Sequence, residues 1–494
     1  MSNFLIKPTS IKKSDILNKV FSLHPSEHKK IDIKNMNLKS ISELVYEEGV
    51  GEQIDVEEYL KFNSNYTLVT ISNMSKCIID ETKGEKVSPF IYNTSSKKLF
   101  TGDVLVSRNA SLGKITLVNK DFNGILNGGI SYLRFKEDYK YYAFAFFLIN
   151  YGVDYLTSIT SGGGTQKNAK RQNLLDLKIP FTSIKNHSNP DLIQKYISLI
   201  TQNIIDKEEQ IKIKDKKIKD LIEKELKENQ KENTLSYGFP KISEIKKEKR
   251  LDTGLYAKNF KVINNLIINY KKGYVNFEKS GFRRKKGPNL AISVIGQSYY
   301  SNTKHNDNFK QLILSKNVTD EGGLDSIQYI GSQVNLPTLN KFDFLLFARG
   351  DIGRVILIDD FLIGATSNFD VFFISSDKES FENIFTLCYL KYLREVGFWK
   401  FYGVGGSGAS SLTDYYFKKV NIPNFEESKK KEISKIYYNH QGHQTIIENK
   451  DYLLLEKDRN KEIGIFQLNM EIFSLKERLN ELIRKIIADE PITI

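Results

Sequence analysis

The chain has 494 residues, more than one hydrophobic core usually serves, so its length predicts two or more domains. Hydrophobic residues make up 40% and aromatic residues 12% of the sequence, which excludes a chain that is disordered throughout. The formal net charge of +13, from 73 Lys and Arg against 60 Asp and Glu, favours a polyanionic partner such as nucleic acid, although Lys-rich soluble proteins share this balance.

Cys77 and Cys388 are the two cysteines of the sequence, and their separation excludes a disulfide framework or a zinc ribbon. We expect both to be small apolar side chains in reduced surroundings. The first residues contain no apolar stretch typical of a signal peptide, and no run approaches the ~18 apolar residues of a membrane span. The sequence therefore predicts a cytoplasmic protein with no membrane partner.

The first part of the chain predicts mixed α/β structure. Short runs rich in β-branched and aromatic residues are typical of strands, and they occur in YTLVTIS from Tyr66, DVLVS from Asp103, KITLV from Lys114 and GGISYLRF from Gly128. A predicted helix follows from Tyr141, then the glycine-rich stretch SGGGTQKNAKRQ and the apolar segment LLDLKIPF.

A long amphipathic helix is predicted next, from Asn189-Pro190, a pair that favours a helix start. Isoleucines recur there every seven residues, at Ile197, Ile204, Ile211 and Ile218. Lys207 and Lys214 interrupt a second apolar seam beside them. One apolar stripe with polar flanks predicts a helix that needs a partner helix.

The same order of elements then recurs. Strand-like runs are NLAISVI, DFLLFA, RVILI and FDVFFIS, followed by a predicted helix from Ile384, the glycine-rich stretch GVGGSGASSLT and the segment FKKVNIPNF. Asp103 matches Asp343 at a separation of 240 residues, and Pro180 matches Pro423 at 243. This repetition predicts a duplication followed by divergence.

The chain closes with a second coiled-coil pattern, in which apolar residues alternate by three and four. These residues are Ile465, Leu468, Ile472, Leu475, Leu479, Leu482 and Ile486. We predict that this helix pairs with the first one, although each could instead pack on its own domain. The sequence thus predicts an α/β (mixed α+β) protein with two duplicated globular domains, residues 1–185 and 236–425, separated by two long antiparallel coiled-coil helices, residues 186–235 and 426–494.

The stretch DVLVSRNASLGKIT ends in Gly113-Lys114 but is not a phosphate-binding loop, because Arg108 and Ile115 stand where that motif needs Gly and Ser or Thr. Two strands joined by a turn would instead present polar side chains that can contact bases or phosphates. The candidates are Ser107, Arg108, Asn109 and Lys114, with Arg349 and Arg354 in the matching turn. The alternative is an ordinary hairpin turn with solvated charges.

Two further groups of residues are candidate DNA contacts. Glycines permit close backbone approach, and the glycine-rich stretches carry donors at Thr165, Gln166, Lys167, Asn168 and Lys170, and at Ser407, Ser410 and Ser411. The compact basic run GFRRKKGP offers Arg283, Arg284, Lys285 and Lys286 for phosphates. Each group could equally be a solvated surface loop.

No catalytic or metal site is predicted. Asn189-Pro190 continues with Asp191, so the Asn-Pro-Pro-aromatic tetrapeptide of amino-methyltransferases is not formed there. We find no glycine-rich dinucleotide fingerprint after a strand. His440 and His443 form an H-x-x-H pair without any accompanying zinc motif. These motifs therefore identify no catalytic residue, no metal site and no cofactor site, although the acidic residues are too numerous to exclude a nuclease triad.

The ordered, duplicated set of motifs resembles the specificity subunit of type I restriction–modification systems. The most telling stretches are GDVLVSRNASLGK from Gly102, GGGTQKN from Gly162, LLDLKIP from Leu174 and RLDTGLY from Arg250. The resemblance implies that each globular half is a target recognition domain for one part of a split sequence in double-stranded DNA. It also implies that the helices set the spacing and dock two methyltransferase subunits, which would bind S-adenosylmethionine, and that restriction (translocase) subunits complete the complex.

Other functions remain open from the residues, of which a stand-alone nuclease is the weakest alternative. The chain could be the recognition part of another methyltransferase or phage-defence assembly. It could also be an interaction scaffold whose coiled coil matters more than its basic loops.

Overall fold

The structure, a computed structural model, describes residues 4–18, 23, 28–60, 63–74, 77–109, 111–159, 169–183, 189–232, 240–248, 250–251, 254–404, 410–441, 447 and 450–492. The helices within these ranges are α1 Lys13–Asn18, α2 Ile41–Leu44, α3 Pro89–Thr94, α4 Lys140–Leu148, α5 Tyr151–Ile159, α6 Arg171–Leu175, α7 Pro190–Glu228, α8 Ile242–Glu248, α9 Lys258–Ile268, α10 Ile292–Ile295, α11 Ser380–Glu395, α12 Trp399–Tyr402, α13 Asp414–Lys418, α14 Glu427–Tyr437, α15 Tyr452–Glu462 and α16 Ile465–Ala488.

The strands within the same ranges are β1 Leu38–Ser40, β2 Val45–Val50, β3 Thr67–Val69, β4 Glu85–Lys86, β5 Val104–Ser107, β6 Ile115–Leu117, β7 Gly124–Leu126, β8 Ile130–Phe135, β9 Lys178–Pro180, β10 Tyr274–Asn276, β11 Arg283–Lys286, β12 Tyr299–Ser301, β13 Phe309–Leu312, β14 Gln328–Gly331, β15 Phe344–Phe347, β16 Val355–Leu357, β17 Val371–Ser375 and β18 Asn421–Pro423. The predicted mixed α/β class is therefore confirmed.

The duplication is visible in the sheets. A four-stranded sheet has the order β2-β8-β5-β6 in the first half and β11-β17-β15-β16 in the second, and all its strands are antiparallel. A two-stranded sheet joins β1 to β9 in the first half and β10 to β18 in the second. The Ile-Pro segments predicted to correspond are therefore equivalent edge strands, β9 and β18.

One predicted strand is wrong. The run NLAISVI contains the short helix α10, which ends before Gly296 at a φ of 72°. In this helix Ile292 and Val294 are exposed, and Ile295 alone reaches the core beneath β13 and β14. Leu290, which precedes the helix, is partly buried against the same core.

The chain divides into two compact units. The first contains residues 1–209, 444–458 and 474–494, and the second contains residues 210–443 and 459–473. The first unit includes the sheet of β2, β8, β5 and β6, and the second includes the sheet of β11, β17, β15 and β16. Helices α7, α15 and α16 each contribute residues to both units.

Helix α7 confirms the first long helix that was predicted from the isoleucine repeat. It has 39 residues and begins at Pro190, and the preceding Asn189 accepts a side-chain hydrogen bond from the Leu192 N–H. At 1.5 Å per residue, its length is about 58 Å. The four predicted seam residues, Ile197, Ile204, Ile211 and Ile218, are all buried.

The single second helix predicted over residues 426–494 is wrong in its continuity, because three helices, α14, α15 and α16, occupy the range. Gly464 separates α15 from α16, and a Cβ atom there would lie 2.6 Å from the Tyr437 carbonyl oxygen. Arg459 Nη1 donates to the Glu471 carboxylate at 3.0 Å. Twelve residues of unbroken helix would span about 18 Å, so the chain turns back between α15 and α16.

The antiparallel arrangement of the long helices applies to α7 and α16. Asn203 donates to Tyr452 and Lys207 donates to Glu456, so α15 follows α7 in the same direction. Since the chain turns back after α15, α16 runs opposite to α7. Its predicted seam is buried at Ile465, Leu468, Ile472, Leu479, Leu482 and Ile486 and partly buried at Leu475.

Candidate nucleic-acid interface

The two β-hairpin loops, which join β5 to β6 and β15 to β16, are closed by the same backbone hydrogen bond. The Gly113 N–H donates to the Ser107 carbonyl at 2.8 Å, and the Gly353 N–H donates to the Phe347 carbonyl at 2.9 Å. Both glycines have a left-handed φ, 75° and 84°. A Cβ on Gly113 would lie 2.9 Å from the Cα of Val153, and one on Gly353 would meet Trp399. Glycine is therefore required at both positions by conformation and by space.

Ser107, which the sequence predicts as a DNA contact, is part of the internal structure of the first hairpin loop. Its side chain is fully buried, and its hydroxyl accepts the Lys114 N–H at 2.9 Å and donates to the Ser111 carbonyl. The hydroxyl therefore uses both its donor and its acceptor in hydrogen bonds within the first hairpin loop. Lys114 is exposed and Asn109 is half-buried on the same loop, so these two side chains remain candidates.

Arg108 is partly structural. Its Nη2 donates to the Gly128 carbonyl at 2.9 Å, which ties the first hairpin loop to the turn before β8. Burial lowers the pKa of Arg108, and the nearby positive charge of Arg171 lowers it further.

The structure brings together two motifs that were predicted separately. In the first half, the Ala169 N–H donates to the Arg108 carbonyl at 2.9 Å. In the second half, the Leu412 N–H donates to the Ala348 carbonyl at 2.6 Å. Each hairpin loop therefore lies beside the end of the glycine-rich stretch of its own half. We call each such pair a loop pair.

Several predicted contacts in the glycine-rich stretches lie outside the described residues, so their roles remain predictions. These residues are Thr165, Gln166, Lys167, Asn168 and Ser407. Of the remaining ones, Lys170 and Ser410 are exposed. Ser411 is partly buried, and its hydroxyl donates to the Val404 carbonyl at 3.3 Å.

The two predicted arginines of the second hairpin loop differ in role. Arg349 is exposed and lies 3.6 Å from the Asp370 carboxylate. Arg354 donates to the Ser315 carbonyl at 2.8 Å and to the Val318 carbonyl at 3.0 Å, and it also pairs with Asp320. Because these bonds engage the guanidinium inside the protein, Arg354 has a structural role, and its contact with DNA stays a prediction.

The basic run predicted as a loop is instead the edge strand β11. Arg283 pairs with Asp377, while Arg284 pairs with Asp414 and stacks on Phe372 at 5.1 Å. These two arginines are engaged by acids and rings of the protein. Lys285 and Lys286 are exposed, so they are the residues of this strand that remain suited to phosphate contact.

Two acidic residues beside the loop pairs were not predicted. Glu48 of β2 pairs with Arg171 at the start of α6, and Asp414 at the start of α13 pairs with Arg284. In the sequence these acids are ordinary charges among many. Only the strand register shows that the two ion pairs lie at matching places in the two halves, with the acid on the edge strand in the first half and on the short helix in the second.

Among the described residues, no three or more His, Cys, Asp and Glu side chains are grouped to hold a metal ion. His440 contacts the hydroxyl of Tyr438 at 3.0 Å, and His443 lies outside the described residues. No helix in the described part of the chain is long and apolar enough to cross a membrane.

No protein-family model matches the sequence, and no curated protein matches it. Among solved structures, the chain is similar to the S subunit of the type I restriction-modification system from M. genitalium, with 14% identity, a TM-score of 0.38 and coverage of 94% of this chain and 98% of that one. It is also similar to the HsdS subunit from Thermoanaerobacter tengcongensis, with 12% identity, a TM-score of 0.28 and coverage of 91% and 96%.

A third similar structure is described as showing complex assembly and conformational transition of the type I R-M system. Its identity is 13%, its TM-score is 0.28, and the match covers 92% of this chain and 98% of that one. These are distant similarities, so what the chain does is inferred from its own residues and contacts.

Proposed function

We propose that the chain is the DNA sequence-specificity subunit of a type I restriction–modification complex. The observation that carries the proposal is the duplicated loop pair, which the same hydrogen bond closes at Arg108–Ala169 and at Ala348–Leu412. The two loop pairs have equivalent backbone hydrogen bonds but different side chains, which suits the recognition of two different base sequences. Each half would read one half of a bipartite target in double-stranded DNA.

The side chains of the two loop pairs differ, which supports recognition of a different base sequence by each half. The first pair has Arg108, Lys114, Lys170 and Arg171, so it is strongly basic. At the matching places the second pair has Ala348, Arg354, Thr413 and Asp414. Its exposed positive charges are Arg349 of the loop itself and Lys285 and Lys286 of the neighbouring strand. Phosphate contacts position a protein on DNA, whereas a few base contacts determine which sequence it binds. The two halves would therefore differ both in their phosphate contacts and in the bases that they recognise.

The helices supply the second part of the proposal. Helices α7 and α16 are antiparallel, and each contributes to both units. Such a pair would fix the number of unread base pairs between half-sites and would dock two methyltransferase subunits. In this proposal the chain is not an enzyme. The methyltransferase subunits would hold S-adenosylmethionine, restriction subunits would complete the complex, and the assembly would act in the cytoplasm.

A genome-wide map of methyladenine tests the proposal. Cells expressing the chain together with a cognate methyltransferase are compared with cells expressing the methyltransferase alone. A split motif that appears only with both proteins supports the specificity role. No new methylation, with both proteins folded and the enzyme competent, would contradict it and favour a scaffold or a different partner enzyme.

A further inference from the structure

The sheet register places one residue of β2 and one residue of β11 at equivalent positions. In the first half, Val104 pairs with Leu133, which pairs with Glu48. In the second half, Phe344 pairs with Ile374, which pairs with Arg284. Since Val104 and Phe344 are 240 residues apart in the matching strands β5 and β15, Glu48 and Arg284 occupy the same place on the edge of the sheet.

A matching argument holds for the short helices that follow the glycine-rich stretches. Ala169 and Leu412 make the same backbone hydrogen bond to the hairpin loop. Two residues later, Arg171 begins α6 and Asp414 begins α13. Arg171 and Asp414 are therefore equivalent as well.

These equivalent residues form the same ion pair with the charges exchanged. Arg171 donates through Nε to the Glu48 carboxylate at 2.8 Å, and the bonded Glu48 raises the pKa of Arg171. In the second half Arg284 pairs with the Asp414 carboxylate, and its Nη1 lies 3.4 Å from the Asp414 carbonyl. In each half the edge-strand partner is the more buried member, with side-chain exposures of 15% for Glu48 and 10% for Arg284.

We propose that these ion pairs are positioning residues for DNA recognition, an inference that rests on the proposed function. Each pair ties the first residue of α6 or α13 to the edge strand of the sheet. That helix begins two residues beyond the bond that closes the loop pair, so the ion pair fixes where the glycine-rich stretch rejoins the sheet. Because the charges are exchanged, the feature common to both halves is the ion pair between edge strand and helix, whichever of the two residues is the acid.

The alternative role for Arg284 is a phosphate contact, and the two roles make opposite predictions for its acidic partner. The change Asp414→Asn removes a negative charge near the DNA, so a purely electrostatic role predicts tighter binding. The positioning role predicts binding about tenfold weaker, because the loop pair of the second half is no longer held. Glu48→Gln is expected to have the same effect on the first half-site.

The experiment uses the complex of the full chain with its methyltransferase and a duplex carrying the motif selected by the wild-type complex. The exchanged variant, Arg284→Asp with Asp414→Arg, gives the second half the polarity of the first and is expected to restore affinity. Asp377→Asn, which removes the partner of the neighbouring Arg283, is the matched control and is expected to leave the affinity within about twofold.

Amide hydrogen exchange gives a readout without DNA. In Asp414→Asn, the Leu412 amide, which donates to Ala348, is expected to exchange faster, while the Ala169 amide of the first half is unchanged. Equal or tighter DNA binding by Asp414→Asn, or unchanged exchange at Leu412, overturns the positioning role. A wild-type complex that selects no split motif overturns the proposed function instead, so the two failures are distinguishable.

Discussion

Side chains near the hairpin loops fall into two groups: those that hydrogen-bond within the protein to hold the loop, and exposed ones that are available to contact DNA. Arg354 belongs to the first group, because its guanidinium donates to the carbonyls of Ser315 and Val318 and pairs with Asp320. Lys114, at the equivalent position, is exposed. The same sequence position therefore has different roles in the two halves.

Replacing these two residues separates the roles. Arg354→Ala leaves two partly buried carbonyls without their donor, so we expect the free energy of unfolding to fall by about 1–3 kcal/mol. Lys114→Ala is expected to change stability by less than about 0.5 kcal/mol while weakening DNA binding. Urea unfolding and DNA binding of both variants provide the measurement. An Arg354→Ala variant of wild-type stability would contradict the structural role.

The sequence alone predicted which stretches carry the loop residues but could not separate buried from exposed ones. Ser107 and Lys114 look equally available in a turn, yet the hydroxyl of Ser107 is used twice within the hairpin. The pairing of Arg284 with Asp414 spans 130 residues of chain. Such partners are set by strand register and helix docking, which no local pattern encodes.

At the scale of elements, the lysines that interrupt the apolar seam of α7 have a structural explanation. Lys207 is fully buried and donates to Glu456 of α15 at 3.2 Å, and Glu456 also accepts from Asn203. A buried polar contact of this kind specifies the register of paired helices. The sequence predicted the helices from their apolar spacing, but the partner of Lys207 and the turn at Gly464 required the structure.

Removing the buried Lys207–Glu456 ion pair is expected to lower the stability of the protein. Lys207→Met leaves the Glu456 carboxylate buried beside Asn203 without its cation, so we expect the free energy of unfolding to fall by about 3–5 kcal/mol. Lys227→Met on the same helix is the matched control. Lys227 pairs with Glu223 on the surface, so its loss should cost less than about 1 kcal/mol. Similar losses in urea unfolding for the two variants would contradict the buried role of Lys207.

Strand β11 allows a test of phosphate contact. Adjacent residues of a strand point to opposite faces, so Lys285 and Lys286 do not face the same way. We expect the double change to Ala to lower the slope of log affinity against log salt by about 0.9 for each phosphate contact that is lost.

The control for β11 removes two other lysines, Lys304 and Lys341, which are paired with Asp307 and Asp360. These two changes alter the net charge equally and are expected to leave the slope unchanged. A slope that falls equally in both double variants would mean that net charge alone is responsible, and the contact role of β11 would be wrong.

At the scale of the whole molecule, the duplication was the strongest signal in the sequence. The separations of 240 and 243 residues predicted equivalent halves, and the two four-stranded sheets have the same strand order. The exchange of charge between the halves, Glu48 with Arg171 against Arg284 with Asp414, was not predictable, because it requires the sheet register of both halves.

In the proposed function, each half recognises its own part of a split DNA target. The most direct measurement is the methyladenine motif produced in cells by the complex with Arg349→Ala, compared with that of the wild-type complex. Arg349 is an exposed residue of the second loop pair. We expect an altered base preference in one part of the motif, with the other part and the spacing unchanged. An equal loss of preference in both parts, or a motif that is not split, would contradict it.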